Sequence, residues 1–539
     1  MSQRLDKVKL VKGRKWERMD PLDNIGVSTY TLIKDAIQEG KNELAKDLTD
    51  YLWFWEVKFL RDINIDVGSH GFPEWVREKY GEYAEFDHQK DSMIRSGSWG
   101  LPFTEKPVVK KRDQSPYDYT MGYARRMSKV HRMGRNDGVG GFIIEEYPDR
   151  YEFIWDPCYT GGRPRRGDPN SNTPPRTGPP YYYNGTQVPH PWTWGKTGVS
   201  GFCIHCAWIH NIADVEQRGY LQWVTGYPDD PFKPCTYIAY KDVDWIPEEY
   251  YTRIGKTKPK VTSKAPKPKD TNKLIKVTHS SELGPDFIPT VTLLKNAIDA
   301  GNKAAALRLV NDLNVGCMTY YGAGPWPFMD LIVEKYGYNE LYHALRWIYS
   351  PYNPPPAPDE PRPTKATIPS AEERARKAAL WGRSAGSGPN WESSVRIVDE
   401  PDRIVMELDP CGSGGRALMT IDKVDDSISA VAKRLPWMGR LERGPLTGPP
   451  RNYKVTTVSH PVAWGKVGIP HVCLRCCVHI DVAAVARSGY LTEIVERPEN
   501  ATDPTCRWFF YKELDDIPEK YYTRIGAKKP PRQRRKRQK

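Results

Sequence analysis

Ten cysteines, and the spacing of eight of them, are the part of this chain best suited to chemistry. Cys158, Cys203, Cys206 and Cys235 follow a C-x44-C-x2-C-x28-C pattern; Cys411, Cys473, Cys476 and Cys506 follow C-x61-C-x2-C-x29-C. Thiolates are soft ligands. Four of them at about 2.3 Å from one tetrahedral ion make a zinc centre, with an iron-sulfur cluster as the alternative for the same donors. Each CxxC supplies two ligands from a single tight turn, and strands on either side deliver the other two. Buried thiols without metal are a further reading, and so is a redox dithiol beside a helix. The dithiol needs a βαβ unit and has no use for Cys235 or Cys506.

The stretch around each CxxC is written twice. His190 to Cys206 reads HPWTWGKTGVSGFCIHC and His460 to Cys476 reads HPVAWGKVGIPHVCLRC, a gapless match with eight identities over 17 residues. Chance supplies about one, so the chain is expected to be a tandem duplication. The kept residues are thiols, an imidazole, an amine and glycines. His190 and His460 suit proton transfer beside a metal, or ligation in place of a cysteine, against a histidine satisfied by its own turn. Lys466 is counted with the catalytic candidates and, like Lys196, is equally read as a solvated lysine. After the first cysteine of each set comes a glycine loop, YTGGR to Arg163 and GSGGR to Arg416. Backbone N–H groups of Gly414 and Gly415, with the Arg416 or Arg163 guanidinium, suit an anion; a plain strand-exit turn explains them too. Gly412 to Gly415 are expected to reach positive φ, which Tyr159 and Thr160 restrict in the first copy. With its longer interval from Arg416 to His460, the second copy is the half expected to work. The aromatics Trp155, Trp192, Trp194 and Trp464 fit an aromatic substrate or simply a core.

Local patterns say what must position these groups. TLIKDAIQEG (31–40) and TLLKNAIDAG (292–301) read as helices closed by glycine, and PEWVREKYG and PFMDLIVEKYG read as later helices of each copy. GFIIEEYPDRYEFIWDPC and SVRIVDEPDRIVMELDPC read as hairpins that turn at Pro-Asp and deliver Cys158 and Cys411 at a strand end. Short helices end at Gly219 and Gly489, strands start at Cys235 and Cys506, and both copies close on YYTRIG. The fold class expected is α+β, each copy a small helical unit followed by a mixed α/β metal-binding unit of the four-cysteine type. The boundaries are a basic arm over 1–20, copy one over 21–255 (helical about 28–98, metal unit about 117–255), and a Lys/Pro linker over 256–280. Copy two follows over 281–527 (helical about 288–350, metal unit about 370–527), then a basic tail over 528–539.

Length and composition narrow the classes. The chain has 539 residues with 18 Trp and 31 Tyr, which excludes a disordered protein. Its net charge of +13 is concentrated in the tail (+8), the linker (+7) and the first 16 residues (+5), so the rest is net negative. Nucleic acid is therefore expected to bind only through basic arms, if at all. No apolar run suits a membrane span or a signal peptide, and the cysteine usage suits a reducing compartment, so a cytoplasmic protein is expected. The function expected is a zinc-dependent hydrolase or lyase acting on a small organic anion, aromatic or not, with further subunits or a homo-oligomer as partners. The alternatives are a zinc-stabilised scaffold that binds a partner, and an iron-sulfur or dithiol redox protein.

Overall fold

The computed structural model describes residues 2–13, 15–61, 68, 70–96, 115–130, 141–158, 161–167, 174–260, 262–322, 326–351, 363–384, 393–415, 454–497, 503 and 505–531. These residues form an α+β protein with antiparallel sheets, in two compact units. One is split in sequence, Met1–Gly68 with Ala297–Lys539; the other is the middle of the chain, Ser69–Asn296. The boundary at 68/69 falls inside the helical segment expected over 28–98. Arg416 and most of the interval before His460, residues 416–453, lie outside the described residues.

In the split unit the first residues are not a free arm. Leu10–Val11 pairs with Glu17–Arg18, and Lys7, Lys12 and Lys41 reach Asp23, Asp47 and Asp6. Acidic residues on the neighbouring helices hold the basic segment down. Helix α1 (Thr29–Glu39) is capped by Ser28, which accepts from the Tyr30 N–H, and ends on Gly40 at φ 74°, the left-handed conformation that glycine adopts without cost. Leu32, Ile33, Ala36 and Ile37 form its buried stripe. Helix α2 (Asn42–Tyr51) continues through a wide π turn at Leu52–Val57.

The middle unit opens with α3 (His70–Tyr80), α4 (Glu82–Ser96) and α5 (Pro116–Val130). Strands β1 (Ile143–Glu146) and β2 (Arg150–Trp155) form the expected hairpin. Helix α6 (Gly201–Ala207) carries the CxxC and runs on through a π turn at Trp208–Ile212 to Ala213–Arg218, ending at Gly219. Strands β3 (Val224–Gly226), β4 (Cys235–Tyr240) and β5 (Lys276–His279) complete a sheet of order β3-β4-β2-β1-β5. Helix α5 covers it, with Tyr123 against Trp223 and Tyr237. The Lys/Pro linker is part of this unit. It supplies β5, and Thr262 and Ser263 donate to Asp244 Oδ2 at 2.8 and 2.7 Å. Lys267 also faces Asp149 at 3.7 Å. Composition alone made it a spacer; acidic residues on the sheet's loops pin it.

Helix α7 (Thr290–Asp299) leads back to the split unit, where α8 (Lys303–Gly322) lies along α1. There follow α9 (Trp326–Tyr336), α10 (Tyr338–Tyr349) and α11 (Ala371–Ser384). Strands β6 (Arg396–Asp399) and β7 (Arg403–Leu408) make the second hairpin. Helix α12 (His471–Cys476), with its own π turn at Cys477–Val482, precedes β8 (Ile494–Glu496) and β9 (Cys506–Tyr511), giving the order β8-β9-β7-β6. Small residues bring α11 close to this sheet: Ala371, Ala375, Ala378 and Ala379 are buried, and Arg374 Nη2 donates to Tyr511 O at 2.6 Å.

Candidate metal centres

In the middle unit the thiols come from three places. Cys158 follows β2, Cys235 opens β4 opposite Trp155, and Cys203 and Cys206 sit three residues apart on α6, on one helical face. The CxxC thus lies in the first turns of a helix, where a separate tight turn had been expected. Cys158, Cys203 and Cys206 are buried. A hydrogen bond to Cys158 pushes the Cys235 thiol up, burial adds to this, and the charges of Cys158, Cys206 and Cys203 act in the same direction. Burial likewise pushes Cys203 to about 12, with Arg165 opposing. Cys206 Sγ stands 3.3 Å from His205 Nε2 and 3.9 Å from the Tyr237 hydroxyl.

The split unit repeats the plan with Cys411 after β7, Cys473 and Cys476 on α12, and Cys506 opening β9. Burial raises Cys506, and Cys411, Cys476 and Cys473 add to the rise while Arg497 opposes it. Cys473 and Cys476 are each pushed to about 12, mainly by burial. Each quartet converges at a sheet end, yet among the described residues no group of three or more His, Cys, Asp or Glu side chains is arranged to hold a metal ion. The donors suit a soft ion; as placed, they do not close around one.

Each quartet faces a buried arginine that forms no ion pair with a carboxylate among the described residues, although the charge of Asp503 is felt by the second. Arg165 donates to the carbonyls of Pro228 (3.1 Å) and Asp229 (3.0 Å) and lies over the Tyr227 ring. Arg497 donates to the carbonyls of Thr505 and Asp503, both at 3.1 Å, and its Nε finds no acceptor. Although burial acts to lower it, its pKa is raised, first by Cys473, then by Cys506 and Cys411.

The HPxxWGK stretch is a tight turn in both units. The His190 carbonyl accepts from Thr193 and Gly195, and that of His460 from Ala463 and Gly465. Trp194 and Trp464 take φ of 55° and 54° and donate into the π turns, to Asn211 Oδ1 (2.8 Å) and Asp481 Oδ2 (2.7 Å). His190 Nε2 meets Glu82 Oε2 at 2.6 Å, its ring stacked on Trp192. His460 Nδ1 accepts from the Val462 N–H, which leaves the proton on Nε2, 3.1 Å from Asn339 Oδ1; burial lowers its pKa. Lys196 pairs with Asp229 at 2.8 Å, and Lys466 donates to the Arg497 carbonyl at 2.5 Å.

Arg163 is buried, and its charge helps burial and His205 to lower the His70 pKa well below the usual value. Gly414 and Gly415 are helical and do not take the positive φ expected of them. Gly414 instead provides room: a Cβ there would collide with Cys473 Sγ. Arg416 lies outside the described residues.

The sequence reading missed a second polar cluster, between α3, α4 and the start of α6. The Gly201 N–H donates to Glu74 Oε1 at 2.8 Å, and Gln89 Nε2 donates to Gly201 O at 3.1 Å. Arg77 pairs with Glu74, and its Nη1 is 3.5 Å from Glu85 Oε2. His70, Glu74, Glu85, His88 and Gln89 are all buried.

No family model matches the chain, and comparison with curated proteins and with solved structures returns no match.

Proposed function

We propose that the chain is a tandem duplication in which each thiol quartet holds one zinc ion, crosslinking a sheet end to the CxxC helix. The observation that supports this is the pair Arg165 and Arg497. A buried guanidinium whose partners are neutral carbonyls is costly unless an anion faces it. The groups facing these two are chiefly thiols, Asp503 adding to them at Arg497, and a cluster of thiols ionises together most readily around a metal. Four sulfur ligands leave no open position, so bound zinc supplies folding free energy here and not a reactive water.

The hydrolase or lyase reading, on a small organic anion, then rests on protein groups beside the ion. It is better placed in the middle unit, where His205 lies against Cys206 and Arg163 is close to His70, than in the split unit. There Arg475 stands at the position of His205 and covers the face of Trp381, while His460 is tied into its own turn. In the middle unit Arg163 would hold the anion, and an imidazole would move the proton.

Elemental analysis of protein purified without added metal tests the zinc reading, together with X-ray absorption at the metal edge. The expected result is two zinc ions per chain in all-sulfur coordination. A value near zero, or a brown iron-sulfur chromophore, overturns it.

A further inference from the structure

Helices α4 and α10 begin at matching positions, each directly after an identical Glu-Lys-Tyr-Gly turn, Glu78–Gly81 and Glu334–Gly337. Counted from that turn, the buried face of α10 is Leu341, Ala344, Leu345 and Ile348, and the same positions of α4 hold Glu85, His88, Gln89 and Ser92. All eight side chains are buried, none more than 4% exposed. The helix before each turn differs in the same sense: His70 and Arg77 stand where α9 has Trp326 and Val333. At these four positions of the second helix the split unit uses hydrocarbon, and its one buried carboxylate here, Asp330 at the place of Glu74, is paired with His471, so the architecture has no need of a second carboxyl. Burying carboxylates and imidazoles in place of hydrocarbon costs free energy that ordinary packing would not.

At the centre of the layer Glu74 and Glu85 approach one point. A Cβ added to Gly201 would lie 2.6 Å from Glu74 Oε1 and 2.7 Å from Glu85 Oε1, so only glycine leaves room for both carboxyl groups. Glu74 is satisfied, by Arg77 and the Gly201 N–H. Glu85 is less well served: it is fully buried, Arg77 is 3.5 Å away, and Gln89 faces it without a hydrogen bond of good geometry to either oxygen. The split unit fills the corresponding space with the imidazole of His471, whose Nδ1 lies 2.7 Å from Asp330 Oδ1.

We infer that the middle unit contains a buried acid–base site in which Glu74 and Glu85 hold one proton between them at neutral pH, the Glu85 carboxyl being the group that gives it up. One guanidinium cannot neutralise two buried carboxylates, and like charges this close do not both ionise. The charged groups facing the pair from α3 and α4 are Arg77, Glu78 and Glu82, with Gln89 as a neutral donor, and from α6 the ionisable group is the Cys203 thiol. Burial drives both carboxyls upward, Glu74 to about 7. This places the acid of the proposed enzymatic reading in the middle unit; the crowding of the two carboxyls around Gly201 is a feature of α3, α4 and the start of α6 and rests on observations separate from those behind the zinc reading.

The test is infrared spectroscopy of the full chain with its metal content measured in parallel, comparing wild type with Glu85→Gln, and with Glu85→Leu/His88→Ala/Gln89→Leu, which copies the layer of the split unit. The wild type is expected to show protonated-carboxyl C=O absorption at neutral pH that fades at alkaline pH, and both variants to lose one component of it, read as a wild-type-minus-variant difference band, while the contribution of Asp214 remains and metal content is unchanged. The triple variant is expected to melt at the same temperature as wild type or higher, the signature of a polar layer kept for chemistry and not for folding. Absence of the absorption in wild type, no difference band between wild type and Glu85→Gln, or a lower melting temperature for the triple variant overturns the inference. A changed metal content accompanied by the difference band leaves the inference standing and bears only on the zinc proposal.

Discussion

Two clusters of buried charge, one in each unit, are handled in opposite ways. In the split unit Arg18 and Asp20 are fully enclosed and paired, and the like charge of Arg383 nearby is offset by Asp20 and Glu56. Arg18 also donates to Val27 O and Thr29 Oγ1 at 2.9 Å, and Asn24 donates to Asp20. Arg383 on α11 pairs with Glu56 at 2.9 Å and reaches the Tyr51 hydroxyl and the Ile25 carbonyl. This network ties residues 18–29 and the π turn after α2 to a helix more than 300 positions later. In the middle unit Glu85 is equally buried and lacks such partners. A satisfied network specifies how segments meet; an unsatisfied group at the same depth is a cost that packing does not explain.

The comparison breaks most visibly at Arg383. Its replacement by leucine leaves Glu56 charged and buried, and about 3–5 kcal/mol should be lost from the split unit. Adding Glu56→Leu should restore most of it, since an apolar pair leaves no orphaned charge. Urea denaturation of the single and double variants reads this; equal stability of the two would show that the network is not coupled.

Acidity sharpens the contrast. A carboxyl whose folded pKa is raised keeps its proton where the unfolded chain has lost it, so its contribution is complete below the unfolded value and disappears as pH rises through the folded one. For Glu74 that window runs from the usual carboxyl range up to about 7. Stability of the middle unit should therefore fall between about pH 5 and about pH 8, by on the order of 1–3 kcal/mol. Glu85→Gln should flatten the slope by removing the like charge. A residual slope remains because Asp214, raised to about 7 by burial, is untouched. Denaturation midpoints across this range check it, and identical slopes in both proteins would separate Glu85 from the titration.

What could be read before the structure was local. The hairpins ending at Cys158 and Cys411, the glycine-terminated helices and the strands opening at Cys235 and Cys506 are written in turn residues and short periods, and they stand where expected. The gathering of thiols at each sheet end followed from them. The polar layer did not. Polar residues at i, i+3, i+4 and i+7 ordinarily mark a solvent face, and only setting the two Glu-Lys-Tyr-Gly turns side by side shows that Glu85, His88, Gln89 and Ser92 replace a core stripe. Nor does anything local tell that residues 18–29 meet 371–395, because the partners of Arg18 and Arg383 are chosen in three dimensions.

The smallest effect should come from the most conspicuous feature of the composition. Of the three basic segments, two are tied to acidic groups of their own units, as Lys12 is to Asp47 and Lys267 to Asp149. The third is tied as far as Lys529, whose Nζ donates to Asp515 O at 2.8 Å. Removing residues 532–539 takes away only charges beyond that anchor and should change stability by less than about 0.5 kcal/mol. Whatever affinity the chain has for a nucleic-acid duplex should fall with it, and the dependence on salt should flatten, since each phosphate neutralised contributes its share of the slope. A filter-binding titration with random-sequence duplex DNA at two salt concentrations decides the matter. Undiminished, salt-dependent binding by the shortened chain would mean that basic residues already paired within the units exchange those partners for phosphate, and that the surface of a folded unit is the contact.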